Sequence, residues 1–131
     1  PGETDSDFEQ TVDIARCVGY INSYCFKYSP RPHTAAAIMP DQIPENIKSA
    51  RLAILDTTLN EIQRTFNESC VGKTLSCLCE GADKTGRHLV YRTPYMQQCI
   101  VARPDTGDAP TLANIEITAA NKASLRGKIA K

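Results

Sequence analysis

Val71-Gly72-Lys73-Thr74-Leu75-Ser76-Cys77-Leu78-Cys79-Glu80 is the stretch in which the sequence changes character. Upstream of Asn67, apolar residues recur at helical spacing. From Val71 onward the period drops to two, and Cys77 and Cys79 then share one face of a strand. Four further runs of the same kind follow, at 86–93, 98–103, 111–118 and 124–130. Turn signals separate them: Gly81-Ala82-Asp83, Pro94, Pro104-Asp105-Thr106-Gly107-Asp108 and Ala119-Ala120-Asn121-Lys122. Five short strands within residues 67–131 predict an all-β, closed, OB-like barrel.

Upstream, Ile47, Leu52, Leu55, Leu59, Ile62 and Phe66 fall close to one face and predict a helix over 45–66, with Pro44 suited to its first turn. The domain boundary is expected near Phe66–Asn67, giving domains 1–66 and 67–131. At the other end, Thr4 and Asp7 have capping-box spacing, Phe8, Val12, Ala15 and Val18 recur helically, and Gly19 is a plausible stop. A helix over 5–18 follows, and then a strand over 20–28, rich in Tyr, Ile, Phe and Cys. Residues 31–43 bear prolines without periodicity and read as a loop. Helix, strand and helix make a fragment of a repeating α/β pattern. Their apolar faces need a cover, either a missing N-terminal part or another copy.

Within that fragment, Pro30 and Pro32 each restrict the preceding residue to extended geometry. Arg31 is thereby held on stiff backbone at the expected end of a strand, where α/β enzymes commonly meet ligands. The alternative is a rigid connector with a solvated arginine.

The 131 residues carry no formal net charge. The balance is uneven: residues 1–66 hold nine acids and six bases (−3), residues 67–131 six acids and nine bases (+3). The basic half hints at an anionic partner. No apolar run approaches the roughly 20 residues of a membrane span, and no secretory signal is recognisable. The opening Pro-Gly reads as a cut or processed end. Of the six cysteines, Cys25, Cys77, Cys79 and Cys99 lie in apolar strand-like runs. This favours buried free thiols in a reducing, cytoplasmic setting over a disulfide framework. No second C-x-C or His pair completes a metal site.

The segment Cys25-Phe26-Lys27-Tyr28-Ser29-Pro30-Arg31-Pro32-x-Thr34 resembles one late in the catalytic barrel of the radical-SAM methylthiotransferases, closest to the MiaB-type enzymes that act on isopentenyl-adenosine in tRNA. The opening Pro1-Gly2-Glu3-Thr4-Asp5-x-Asp7-Phe8 is similar to the same family. The second half resembles its C-terminal TRAM domain, a small RNA-binding barrel. It does so through Asn67-x-x-x-Val71-Gly72-Lys73, Leu78-Cys79-Glu80-Gly81, Arg92-Thr93-Pro94 and Ser124-Leu125-Arg126-Gly127. Three positions depart from the family pattern: His33 replaces a usual Gly, Ala35 a frequent Pro, and Tyr91 a common Gly.

The resemblance implies that residues 1–66 are the last part of a radical-SAM, TIM-like barrel and residues 67–131 a TRAM domain. It implies a parent enzyme that uses S-adenosylmethionine and two 4Fe-4S clusters to add a methylthio group to an adenine ring beside the anticodon. This chain lacks the C-x-x-x-C-x-x-C loop that holds such a cluster, so it is expected to hold no cofactor or metal and to be inactive alone. No catalytic residue is assigned. Tyr28, Ser29 and Arg31 are the expected substrate-binding residues, Arg31 by pairing with phosphate or stacking on a base. Glu3 lies either near bound S-adenosylmethionine or at a helix N-terminus, complementing its dipole. The expected RNA-binding residues are Lys73, Arg87, Arg92, Arg103, Lys122, Arg126 and Lys128, with Tyr91 and Tyr95 among them as stacking rings. His88 is either an RNA contact or a structural strand residue. The expected partners are the anticodon arm of tRNA and the rest of the same enzyme. The alternatives are a non-catalytic TRAM-type RNA-binding protein, or a sister methylthiotransferase acting on threonylcarbamoyl-adenosine or a ribosomal protein.

Overall fold

The computed structural model describes residues 1–104 and 109–130, which divide into two compact units, Pro1–Ile62 and Gln63–Lys131. In the first, helix α1 spans Asp5–Val18 as its spacing predicts. Asp7 N–H donates to Thr4 Oγ1 at 3.2 Å and Thr4 N–H to Asp7 Oδ2 at 2.8 Å, so the capping box satisfies two otherwise orphaned donors. Gly19 ends the helix at φ 71°, its N–H donating to Ala15. Val12 and Ala15 are buried, while Val18 is exposed.

The expected strand over 20–28 does not form. A strand exists only as a ladder with a neighbour, and no described residue of this unit pairs with that segment. Tyr24 and Phe26 are instead 91% and 85% exposed. The first unit thus holds helices and irregular segments where an α/β pattern was expected, and Cys25 is half-buried outside any strand. Within the expected loop 31–43, a single helical turn, α2, spans Ala35–Ile38. Gln42 closes it by donating to the carbonyls of Ala36 and Met39 at 2.8 and 3.0 Å. Helix α3 runs Glu45–Ser69, three residues past its expected end.

The second unit begins in α3. Gly72, at φ 83°, reverses the chain, and its N–H donates to the Ile117 carbonyl at 2.9 Å. That turn delays the first strand from residue 71 to Thr74. Strands β1 (Thr74–Ala82), β2 (His88–Arg92), β3 (Gln98–Ala102), β4 (Leu112–Ala120) and β5 (Ser124–Ile129) then form a closed barrel in the order β1-β2-β3-β5-β4. All pairings are antiparallel except β3 with β5. Bulges at Cys79/Gly81 and Ile117/Ala119 lengthen β1 and β4 into residues expected as turns. The first of these turns shifts to Asp83–Arg87 and the second contracts to Asn121–Ala123. Of the turn signal after Pro104, Asp105 to Asp108 lie outside the described residues.

Alternation along the strands fills the barrel with Cys77, Leu89, Tyr91, Cys99, Val101, Ile115, Ile117 and Leu125, each no more than 3% exposed. Gly127 belongs to this packing. A Cβ there would stand 2.4 Å from Ile115 Cγ2 and 2.7 Å from the Glu116 carbonyl oxygen. Closure leaves no open sheet edge. The α3–β1 link and the β2–β3 and β4–β5 turns gather at one barrel end, and the β1–β2 turn at the other.

Candidate functional site

In the first unit, three charged residues one turn apart on α3 organise the preceding segment. Glu45 accepts from Lys27 Nζ, and from Lys48 Nζ at 2.8 Å. These bonds hold its carboxyl well below the usual range, at about 2. Lys48 also donates to the Tyr28 carbonyl at 3.2 Å. Arg51 binds Glu3 Oε2 at 2.6 Å and Asp5 Oδ1 at 2.7 Å, with its guanidinium 5.6 Å from the Phe8 ring centre. Glu3 is thus part of an ion-paired cluster beside a cavity of about 350 Å³, which Lys27, Tyr28, Lys48 and Leu52 also line. Two polar atoms here, Tyr28 Oη and Arg51 Nε, are buried without a hydrogen-bond partner among the described residues. The recurrence of charge at 45, 48 and 51 within an apolar helix was the available sequence signal for this cluster.

The structure brings Tyr28, Ser29 and Arg31 together. With Lys27, Thr34 and Ala36 they line an open groove of about 360 Å³. The Arg31 carbonyl accepts from Thr34 Oγ1 at 2.8 Å, which fixes the backbone after Pro30. His33 follows at φ 65°, a left-handed conformation that costs a side-chain-bearing residue about 1 kcal/mol. Ala35 is the first residue of α2, preceded by Thr34 in extended geometry. These two departures from the family pattern therefore fall where Gly and Pro, respectively, suit the backbone best.

On the barrel, the seven nominated cations are dispersed. Arg87 and Arg103 lie at the β1–β2 end, joined by a backbone bond of 3.0 Å from Arg103 N–H to the Arg87 carbonyl. Asp83 organises that end: its Oδ1 accepts from Thr85 Oγ1 and from the N–H groups of Thr85, Arg87 and His88, and its Oδ2 lies 3.2 Å from His88 Nδ1. Burial pushes its carboxyl up, but the bonds from Thr85 and His88 prevail and hold it at about 2. His88 is thereby a turn-fixing residue. Arg126 stands exposed in mid-β5, and Lys128 pairs with Glu116 at 3.2 Å. Arg92 is engaged: Nε and Nη2 form a bidentate pair with Glu80 at 2.9 and 2.8 Å, and Nη1 donates to the Met96 carbonyl at 2.9 Å. Tyr91 is fully buried, its hydroxyl donating to the Pro110 carbonyl at 3.2 Å, so it offers no surface ring.

Lys73 and Lys122 lie at the other end, where sequence reasoning missed a buried polar clamp. Asn67, wholly buried, donates through Nδ2 to the carbonyls of Asn121 and Lys122 at 3.2 and 3.3 Å, and accepts from Gln97 Nε2. Gln97 in turn accepts from Thr93 Oγ1 at 3.1 Å. One carboxamide thus ties α3 to two turns. The signal was Asn67 and Thr93 standing in the family-like segments with no role assigned to them.

Iron–sulfur clusters are held by thiolates, and in the barrel core two thiols are disfavoured from that form. Burial raises Cys77, and pushes Cys99 up to about 12. Cys70, Cys77 and Cys99 are core residues and Cys17 is exposed. Among the described residues, no three His, Cys, Asp or Glu side chains are grouped to hold a metal, and no helix is long and apolar enough to cross a membrane.

Comparison with known proteins finds a class of relatives: over nearly all its length the chain is similar to curated tRNA-2-methylthio-N(6)-dimethylallyladenosine synthases. In particular, over 129 residues, 98% of the chain, it is 46% identical to the tRNA-2-methylthio-N(6)-dimethylallyladenosine synthase of Rickettsia conorii. Identity to the synthases of Rickettsia canadensis and Rickettsia felis is 45% and 44% over the same share. The chain spans 29% of the length of these relatives. No family model matches it.

Proposed function

We propose that this chain is part of a tRNA methylthiotransferase that uses S-adenosylmethionine to install a methylthio group on the adenine of isopentenyl-adenosine beside the anticodon. The single observation that carries this reading is 44–46% identity across 129 residues to synthases named for that product. In this reading residues 1–66 are the end of a radical-SAM barrel. Tyr28, Ser29 and Arg31 line the substrate side, and Glu3 and Arg51 form a charged wall next to it. Residues 67–131 are a TRAM domain that holds the anticodon arm, with Lys73, Arg87, Arg103, Lys122, Arg126 and Lys128 near phosphates. The clusters and the cosubstrate belong to the remainder of the enzyme, which also covers the exposed Tyr24, Phe26 and Ile38.

The test is a chimera in which this chain replaces the matching segment of the R. conorii enzyme, produced in cells lacking the endogenous activity. Mass spectrometry of digested tRNA is expected to reveal 2-methylthio-N(6)-dimethylallyladenosine. A folded, cluster-loaded chimera that binds tRNA and makes none of it contradicts the reading. Methylthiolation of threonylcarbamoyl-adenosine instead would assign the sister activity.

A further inference from the structure

We infer that the barrel end built by the Thr93–Gln97 turn is a stacking platform for one unpaired RNA base, with Tyr95 and Met96 as its surface and Lys122 beside it for the adjoining phosphate. The inference rests on the RNA-binding reading above and assigns it a place. The Tyr95 ring is 43% exposed and packs edge-to-face on Phe66, with centroids 5.1 Å apart and planes at 81°, so it is both presented and braced. Met96 is 65% exposed on backbone at φ 65°. A left-handed conformation is unfavourable for such a residue and persists where the surroundings impose it, which is common at binding sites.

Those surroundings are three independent tethers. Thr93 N–H donates to the Gln97 carbonyl and Met96 N–H to the Thr93 carbonyl, each at 3.0 Å. Gln97 is bonded to buried Asn67. Arg92 Nη1 holds the Met96 carbonyl while Glu80 holds Arg92. Asn67 also bonds the Lys122 carbonyl, so an exposed cation rises from the same clamp. A rigid ring, a polarisable thioether and an ammonium on a fixed frame suit the flat face of a base and its phosphate. Arg92 then acts as a positioning residue for the turn rather than as a phosphate ligand.

The experiment uses the full chain and an end-labelled single-stranded oligoadenylate, titrated over a range of salt. Tyr95→Ala is expected to weaken binding about fivefold or more at every salt concentration, leaving the slope of affinity against salt unchanged. Tyr95→Phe should bind as the parent does. Lys122→Ala should flatten the slope by roughly 0.7. Because Tyr95 also braces Phe66, a second variant guards against misfolding. The chain has no tryptophan, so Tyr95→Trp reports from that site alone, and its emission is expected to be quenched as RNA binds. If RNA binds but Tyr95→Ala binds equally well, or the Trp emission does not change, the platform is wrong while RNA binding stands. If the parent chain binds no RNA at all, the RNA-binding reading itself fails, and the platform with it.

Discussion

The Gln97 carboxamide donates to the side-chain oxygen of Asn67, and both residues are hidden from solvent. Removing either partner strands the other without water to replace it. Asn67→Ala is expected to destabilise the barrel by about 1–3 kcal/mol, the cost of unsatisfied buried polar groups. The Asn67→Ala, Gln97→Ala double variant should cost less than the sum of the two. Hydrogen exchange at Ile115 and Leu125 amides, which report the barrel alone, measures both quantities; strict additivity would mean that the pair is uncoupled.

Gly127 allows a prediction from space alone. A methyl group there meets Ile115 Cγ2 and the Glu116 carbonyl well inside contact distance. Gly127→Ala should lose roughly 1–3 kcal/mol through overpacking, and Ile115→Leu in the same chain, which removes the Cγ2 methyl, should recover part of it. Urea denaturation followed by far-ultraviolet circular dichroism of the strands is the measurement.

Ala35 is already prepared for proline. It is the first helical residue of α2, and Thr34 before it sits at φ −101° and ψ 143°. Ala35→Pro is expected to raise the stability of the first unit by about 0.4–1 kcal/mol, acting on the unfolded chain. His33→Gly removes the left-handed penalty but adds unfolded-state entropy, so it should change stability little. Protection of the amides of residues 34–38 against exchange distinguishes the two variants.

Acid should loosen the β1–β2 turn in a defined window. The Asp83 carboxyl is held at about 2 in the folded chain, below its ordinary value near about 3.9. Its stabilisation is therefore complete above the ordinary value and disappears as pH falls through the folded value. Asp83→Asn should abolish this component, so its urea midpoint should fall less between neutral pH and pH of about 2 than that of the parent chain. Parallel pH curves for the two proteins would refute the assignment.

Arg126 and Arg92 separate free from committed charge. Replacing Arg126, exposed on β5, with Ala should lower the salt slope of RNA binding by about 0.7–0.9. Arg92→Ala should leave that slope unchanged, because its fork is occupied by Glu80 and Met96. An equal loss of slope in both variants would show that the Glu80 pair opens on binding.

Local rules made α1 legible to the residue: Thr4, Asp7 and Gly19 act only on their neighbours. The five strands were legible as well, since alternation needs no knowledge of partners. What failed was whatever depends on a partner. Tyr20 to Tyr28 has strand-like composition, but a ladder needs a second strand. The Glu80 partner of Arg92 was not legible because the β1–β2 register, shifted by the bulge at Cys79/Gly81, is not written in either strand. Tyr91 looked like a stacking ring because inward and outward faces cannot be told apart until the barrel closes. Of the groove residues, Tyr28, Ser29 and Arg31 were legible because they are near neighbours in the sequence; the supporting Glu45, Lys48 and Arg51 come from a distant helix.

The parallel neighbours β3 and β5 impose an order on folding. Ser124–Ile129 is the last strand in the chain, yet it lies between β3 and β4. Until it docks, β3 and β4 each present an unpaired edge. A chain in which Ser124–Ile129 has yet to dock is therefore a four-stranded open sheet with two adhesive borders, the kind of species that pairs with its neighbours or recruits a chaperone. The barrel becomes safe only when β5 slots in, so its quality depends on how fast that strand docks as well as on its residues.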